Sequence, residues 1–133
     1  MSFLLDTHVW IWSEEAPEMI GPGCRALLED LENSLFVSTV SSLEISRLRA
    51  AGTVSLTGSL TSWIEDTLDA LSCMTIPISH EIAATAYELP GSFHKDPADR
   101  VLLATALIHD LELMTADTPI LDYRHVRTRN ARS

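Results

Sequence analysis

Cysteine and positive charge are both scarce in this sequence. The two cysteines, Cys24 and Cys73, supply neither a disulfide framework nor a zinc-ligand spacing. They read as buried thiols of a reducing compartment. Lysine occurs once, at Lys95, and Lys plus Arg total 9 against 19 Asp plus Glu, a net charge of −10. That excludes a protein that coats nucleic acid by bulk electrostatics, though not an enzyme that meets RNA or DNA through a metal ion. Long apolar runs are also missing. The stretch from Val101 to Ile108 is far too short to span a bilayer, so no membrane association is expected. The apolar start Phe3-Leu4-Leu5 is cut by Asp6 before a secretory h-region can form, and the chain is expected to be soluble and cytoplasmic. Internal repeats and low-complexity segments are absent.

What is present fits one domain spanning residues 1–133, with a basic tail from about Arg124. The 46% hydrophobic and 21% charged fractions are those of a globular chain. Charge is uneven. Arg124, Arg127, Arg129 and Arg132 give the last ten residues +4, and the rest of the chain carries −14. Short apolar runs alternate with longer helical patterns. Ser2 to Leu5, Leu35 to Ser38, Met74 to Ile76 and Leu113 to Thr115 read as strands, with a weaker fifth at His125 to Arg127. The strong runs are continuously apolar, which suits parallel strands covered on both faces. Helices are expected at His8 to Ser13, Gly23 to Glu32, Ser42 to Ala51, Leu60 to Leu71, Glu81 to Leu89 and Pro97 to Asp110, the last apolar nearly all round. The alternation predicts a three-layer α/β/α sandwich with a mostly parallel central sheet of four or five strands.

Ligands of open α/β sheets bind at the carboxyl ends of the strands. Asp6 closes the first strand, and Asp117 follows the fourth after one residue. Glu44 lies early in the third helix, and Asp99 lies at the mouth of the apolar one. Each has a local reading as well. Asp6 and Asp117 suit helix caps or turns, Ser41 and Glu44 match a capping box, and Asp96-Pro97 is an N-cap and N1 pair that puts Asp99 in the first turn. Capping explains each acid singly. It does not explain why four caps should gather at the ligand-binding end of a sheet. A carboxylate cluster repels itself unless a cation sits within it, and oxygen donors suit Mg²⁺ or Mn²⁺. Such an ion can activate water and neutralise charge on a phosphodiester.

These residues resemble the PIN-domain family, and in particular its VapC-like toxin ribonucleases. Leu4-Leu5-Asp6-Thr7-His8-Val9-Trp10 is similar to the family's opening motif, and Ser42-Leu43-Glu44-Ile45 to its second. His94-Lys95-Asp96-Pro97-Ala98-Asp99-Arg100, continuing to Ala106, is the most specific match, and Leu113-Met114-Thr115-Ala116-Asp117 resembles the closing strand. The resemblance runs from about Phe3 to Arg127. It implies metal-dependent hydrolysis of RNA phosphodiesters. Asp6, Glu44, Asp99 and Asp117 would be the acidic metal-binding quartet, with Asp6 and Asp99 in direct contact. Thr115 would orient a carboxylate or a water. The resemblance further implies Mg²⁺ or Mn²⁺ as cofactor, an RNA substrate, a homodimer and a cognate antitoxin that blocks the site. Ala98 stands where a bulky aromatic is frequent in the family, which should alter packing near the site. A non-catalytic PIN-like module and a DNA-directed nuclease are the competing readings. A phospho-receiver domain is disfavoured, because the third strand ends Ile76-Pro77-Ile78 without an acid and Lys95 follows no strand.

Other residues have two readings each. His8 lines the site or is a partly exposed, hydrogen-bonded residue at a helix start. His94, Lys95 and Arg100 hold phosphate oxygens, or Arg100 pairs with a neighbouring acid. Trp10, Trp12 and Trp63 are core or dimer residues, or stack on bases. The arginine tail touches the phosphate backbone or is a frayed terminus. Apolar stripes at Ile20 to Leu31 and Leu43 to Leu48 are candidate dimer or antitoxin contacts.

Overall fold

The computed structural model describes all 133 residues. Five strands form one parallel sheet: β1 (Ser2–Leu5), β2 (Ser34–Ser38), β3 (Cys73–Ile76), β4 (Glu112–Thr115) and β5 (Thr128–Asn130). Their order is β3-β2-β1-β4-β5. The register pairs Leu4 with both Phe36 and Leu113. Helices α1 (Thr7–Glu15), α2 (Pro22–Glu29), α3 (Thr39–Ala50), α4 (Leu60–Leu71), α5 (His80–Thr85), α6 (Pro97–His109) and α7 (Thr118–Leu121) cover the two faces, with a 3₁₀ turn at Pro17–Met19. None of them is long and apolar enough to cross a membrane.

The continuous apolar strands feed two separate cores. Phe3, Leu5, Leu35, Val37 and Met114 point to one face, where Val9, Trp10, Cys24, Ile45 and Trp63 meet them. Leu4 and Leu113 point to the other, against Val40, Ile82, Leu102, Leu103, Ile120 and Tyr123. Alternate residues of each strand thus enter opposite layers, as a doubly covered sheet requires. Trp10 is wholly buried, and its indole N–H donates to the Thr67 hydroxyl at 2.9 Å.

Several boundaries differ from the sequence expectation. Helix α3 begins a full turn early, capped by the Ser38 hydroxyl on the Val40 N–H, so Ser41 and Glu44 form no capping box. Helix α2 ends at Glu29, where the Asp30 side chain turns back to the Glu32 N–H. Helix α5 stops at Thr85, and the Ala86 carbonyl just beyond it accepts from the Arg100 guanidinium instead. The fifth strand is Thr128–Asn130 rather than His125 to Arg127, because pairing with β4 sets Leu113 against Thr128 while Val126 is buried in the core. The tail is therefore not a frayed end, since Arg129 lies in the paired strand β5.

Candidate active site

Strand order places the site. The chain moves outward from β1 to β2 and β3, then returns to the far side of β1 for β4. Helix α1 leaves β1 toward one face, and α7 leaves β4 toward the other. The carboxyl ends of β1 and β4 therefore flank a switch point, where an open α/β sheet leaves a crevice. Asp6 stands at the end of β1 and Asp117 just past β4. Helix α6 brings its first turn to the same place, and α3 its second. Asp6, Glu44, Asp96, Asp99 and Asp117 line one cleft of about 190 Å³ together with Thr7, His8 and Ala98. A larger recess of about 380 Å³, between Phe93, Tyr123 and His125, touches only His94 of the neighbouring residues.

Three of the acids cap helices while facing the cleft. Asp6 Oδ1 accepts the Thr7 N–H at 2.7 Å, and its Oδ2 accepts the Thr115 hydroxyl at 2.6 Å. The Thr115 oxygen in turn accepts the Asp117 N–H at 3.0 Å. Asp117 Oδ2 accepts the Ile120 N–H at 3.3 Å, and Asp96 Oδ1 the Asp99 N–H at 3.2 Å. Thr115 is fully buried and ties the ends of β1 and β4 together from below the cleft. Glu44 holds Arg47 at 3.0 Å.

Burial and mutual repulsion act on this cluster. Asp99 is pushed up to about 7, by burial first and then by Asp96, Asp6, Asp117 and Glu44. Burial raises Asp6 as well, against the opposing hydrogen bonds from Thr115 and Thr7. A crowded set of carboxylate oxygens of this kind fits a hard divalent cation.

His94 stands over the cluster. Ligand atoms of His94, Asp99 and Asp117 lie within 4.8 Å of one another. The Asp96 N–H donates to His94 Nδ1 at 3.2 Å, so the neutral ring carries its proton on Nε2. That atom lies 3.3 Å from Asp99 Oδ2, and it orients the carboxylate. Arg100 meets neither an acid nor the cleft. Its guanidinium donates to the carbonyls of Ala86, Phe93 and His94 and lies 4.8 Å from the Tyr87 ring centroid, which fastens the loop carrying His94. His8 is exposed on the cleft wall and makes no hydrogen bond.

The sequence profile of the PIN domain family matches residues 3–126. The chain belongs to the PIN domain family. It is 33% identical over 124 residues to ribonuclease VapC22 of Mycobacterium tuberculosis, covering 93% of each chain. Its fold is similar to VapBC2 from Rickettsia felis bound to a DNA fragment from their promoter, with a TM-score of 0.65, 15% identity and 98% of each chain covered. It is also similar to a toxin–antitoxin complex from Klebsiella pneumoniae, with a TM-score of 0.64, 22% identity and 96% of each chain covered.

Sequence reasoning passed over one contact of this PIN domain. The Thr7 hydroxyl donates to Ser41 Oγ at 2.9 Å, locking the start of α1 to α3 and so Asp6 toward Glu44. The hydroxyl-rich run Ser38-Thr39-Val40-Ser41-Ser42 carries no mark of which member does this. Arg132, one of the tail arginines read as a phosphate-backbone candidate, lies beside Asp6 and Asp117.

Proposed function

We propose that this PIN domain is a divalent-metal-dependent endoribonuclease, the toxin of a toxin–antitoxin pair, held in check by a cognate antitoxin in the cytoplasm. The observation that carries the reading is the convergence of Asp6, Glu44, Asp99 and Asp117, from four separate elements, on one cleft at the switch point of the sheet. The ribonuclease relative and the toxin–antitoxin neighbours support it.

Asp6 and Asp99 would hold Mg²⁺ or Mn²⁺ directly, with Glu44 and Asp117 completing the shell. When bound, the ion supplies positive charge for the phosphate oxygens and lowers the pKa of a water at the site. The chain's own residues prepare the rest. Thr115 fixes the Asp6 carboxylate from below, and His94 fixes Asp99 from above. Both hydrogen bonds reduce the motion that would blur an in-line attack. The amino ends of α1 and α6 lie at the cleft, and their helix dipoles temper repulsion among the acids and favour a phosphate. A homodimer is part of the same proposal. Leu43 and Leu31, exposed on the apolar stripes, support a partner-covered surface.

The test is cleavage of a structured RNA pool by purified protein with Mg²⁺, with Mn²⁺ and with EDTA, beside Asp99→Asn. Metal-dependent cutting that the variant lacks is expected. Equal cutting by the variant would overturn the assigned site, and cutting of single-stranded DNA but not RNA would reassign the substrate.

A further inference from the structure

The acidic cleft continues past its own rim. Asp6, His8 and Asp117 line it, and they also line a second recess of about 170 Å³ whose remaining walls are Trp12, Ala116 and Arg132. Trp12 lies one helical turn beyond His8 on α1. It is half-buried against the core, unlike Trp10 and Trp63, which are buried. Its ring centroid is 6.1 Å from that of His8, and the Arg132 guanidinium carbon is 6.0 Å from it. At that distance the cation–π attraction is at its outer limit, so the guanidinium stays free for an anion.

Arg132 is not on a loose end. Ala131 is fully buried, donates to the Thr115 carbonyl and accepts from the Gly21 N–H, both at 2.8 Å. The Arg132 N–H donates to Asn130 Oδ1, and the Ser133 carbonyl accepts the Cys24 N–H at 3.2 Å. A Cβ on Gly21 would collide with the main chain of Arg132 and Ser133, so glycine is what lets the segment dock there. Backbone contacts thus pin Arg132 beside the acids.

Charge pairing isolates it further. Arg47 is bound to Glu44, Arg127 to Asp110 and Arg129 to Glu112, and Arg100 is held by three carbonyls. Arg132 makes no side-chain hydrogen bond or ion pair, yet it borders Asp6 and Asp117. An RNA chain entering so acidic a body needs a cation for the phosphate next to the one being cut, and on this side Arg132 is the one free to serve.

We propose that this recess is a nucleotide subsite of the active cleft. It takes the nucleotide adjoining the scissile phosphate of an unpaired RNA stretch, its base against the Trp12 and His8 rings and its phosphate on Arg132. The inference rests on the ribonuclease reading. Stacking on a ring face tolerates any base but requires one that is unpaired, so the subsite selects single-stranded segments rather than a sequence.

The experiment measures cleavage of a short single-stranded oligoribonucleotide by wild type, Trp12→Ala, Trp12→Phe, His8→Ala and Arg132→Gln, with melting curves to confirm folding. Trp12→Ala should raise KM about tenfold with little change in kcat, and Trp12→Phe should recover most of the loss. Arg132→Gln should reduce the salt dependence of kcat/KM by about one counterion. The surface changes at His8 and Arg132 keep the test decisive if Trp12→Ala unfolds. Wild-type cutting, with unchanged KM and salt slope in the variants, refutes the subsite and leaves the ribonuclease reading intact. Variants that lose antitoxin binding but keep KM reassign the recess to the protein partner and refute it too. If wild type cuts no RNA, the ribonuclease reading fails and the subsite falls with it.

Discussion

Replacing Asp99 by Asn should make the metal-free protein more stable at pH 8 while abolishing cleavage. In the fold the Asp99 carboxyl is raised from 3.8 to about 7, by burial and by four neighbouring acids. A raised carboxyl contributes stability that is fully present below its unfolded pKa and is lost as pH climbs through the folded one. The metal-free wild type therefore loses stability from this group between about pH 4 and pH 7, and the full cost stands at pH 8. Taken at face value the shift is worth roughly 4 kcal/mol. Asp99 is 22% exposed in an open cleft, so screening brings this to about 1–2 kcal/mol. Asn keeps the size and the acceptor that His94 needs, so the change removes charge and little else.

Melting temperatures in EDTA test this directly. The variant should melt about 3–8 °C above wild type at pH 8, and the gap should close toward pH 4. Millimolar Mg²⁺ or Mn²⁺ should reverse the order, because the ion stabilises only the chain that binds it. A variant that melts at or below wild type in EDTA at pH 8 would refute the argument that the acids repel one another.

Metal affinity should itself depend on pH. With Asp99 near 7, a proton must leave before the ion binds, so calorimetric affinity should rise about tenfold from pH 6 to pH 8 and then level off. Thr115→Val removes a donor to Asp6 and an acceptor for the Asp117 N–H in a fully buried position; it should cost about 2 kcal/mol in denaturant unfolding and lower kcat, with Thr115→Ser largely restoring both. Arg100→Ala leaves three carbonyls unpartnered, and hydrogen exchange should show faster opening of residues 86–96, which Arg100→Lys should not rescue.

Strands β1, β2 and β4 were legible because burial on both faces leaves a continuous apolar run, and β3 was legible as a short apolar run although it lies at the sheet edge with Met74 and Thr75 exposed. Strand β5 was not, since Thr128, Arg129 and Asn130 show no apolar pattern and only backbone pairing to β4 defines them. The start of α3 was illegible for the opposite reason, with several adjacent hydroxyl residues equally able to cap it. Arg100 looked like a partner for an acid or a phosphate. What decides its role is a loop folding back so that three carbonyls face it, a contact no local spacing announces.

The site acids were legible individually as caps, and in the structure capping and a place on the cleft are compatible. Asp6, Asp96 and Asp117 do cap α1, α6 and α7. Each cap fixes a carboxylate at an amino end, and these ends converge because they follow, or pack over, the carboxyl ends of β1 and β4. Capping leaves lone pairs on every carboxylate, since one N–H satisfies only a fraction of what two oxygens accept. The helix dipoles partly offset the repulsion that remains. Burial first, and then the charge of neighbouring acids, raises Asp99 and Asp6. Folding rules place the acids, and a bound divalent ion would offset the burial and repulsion that they retain.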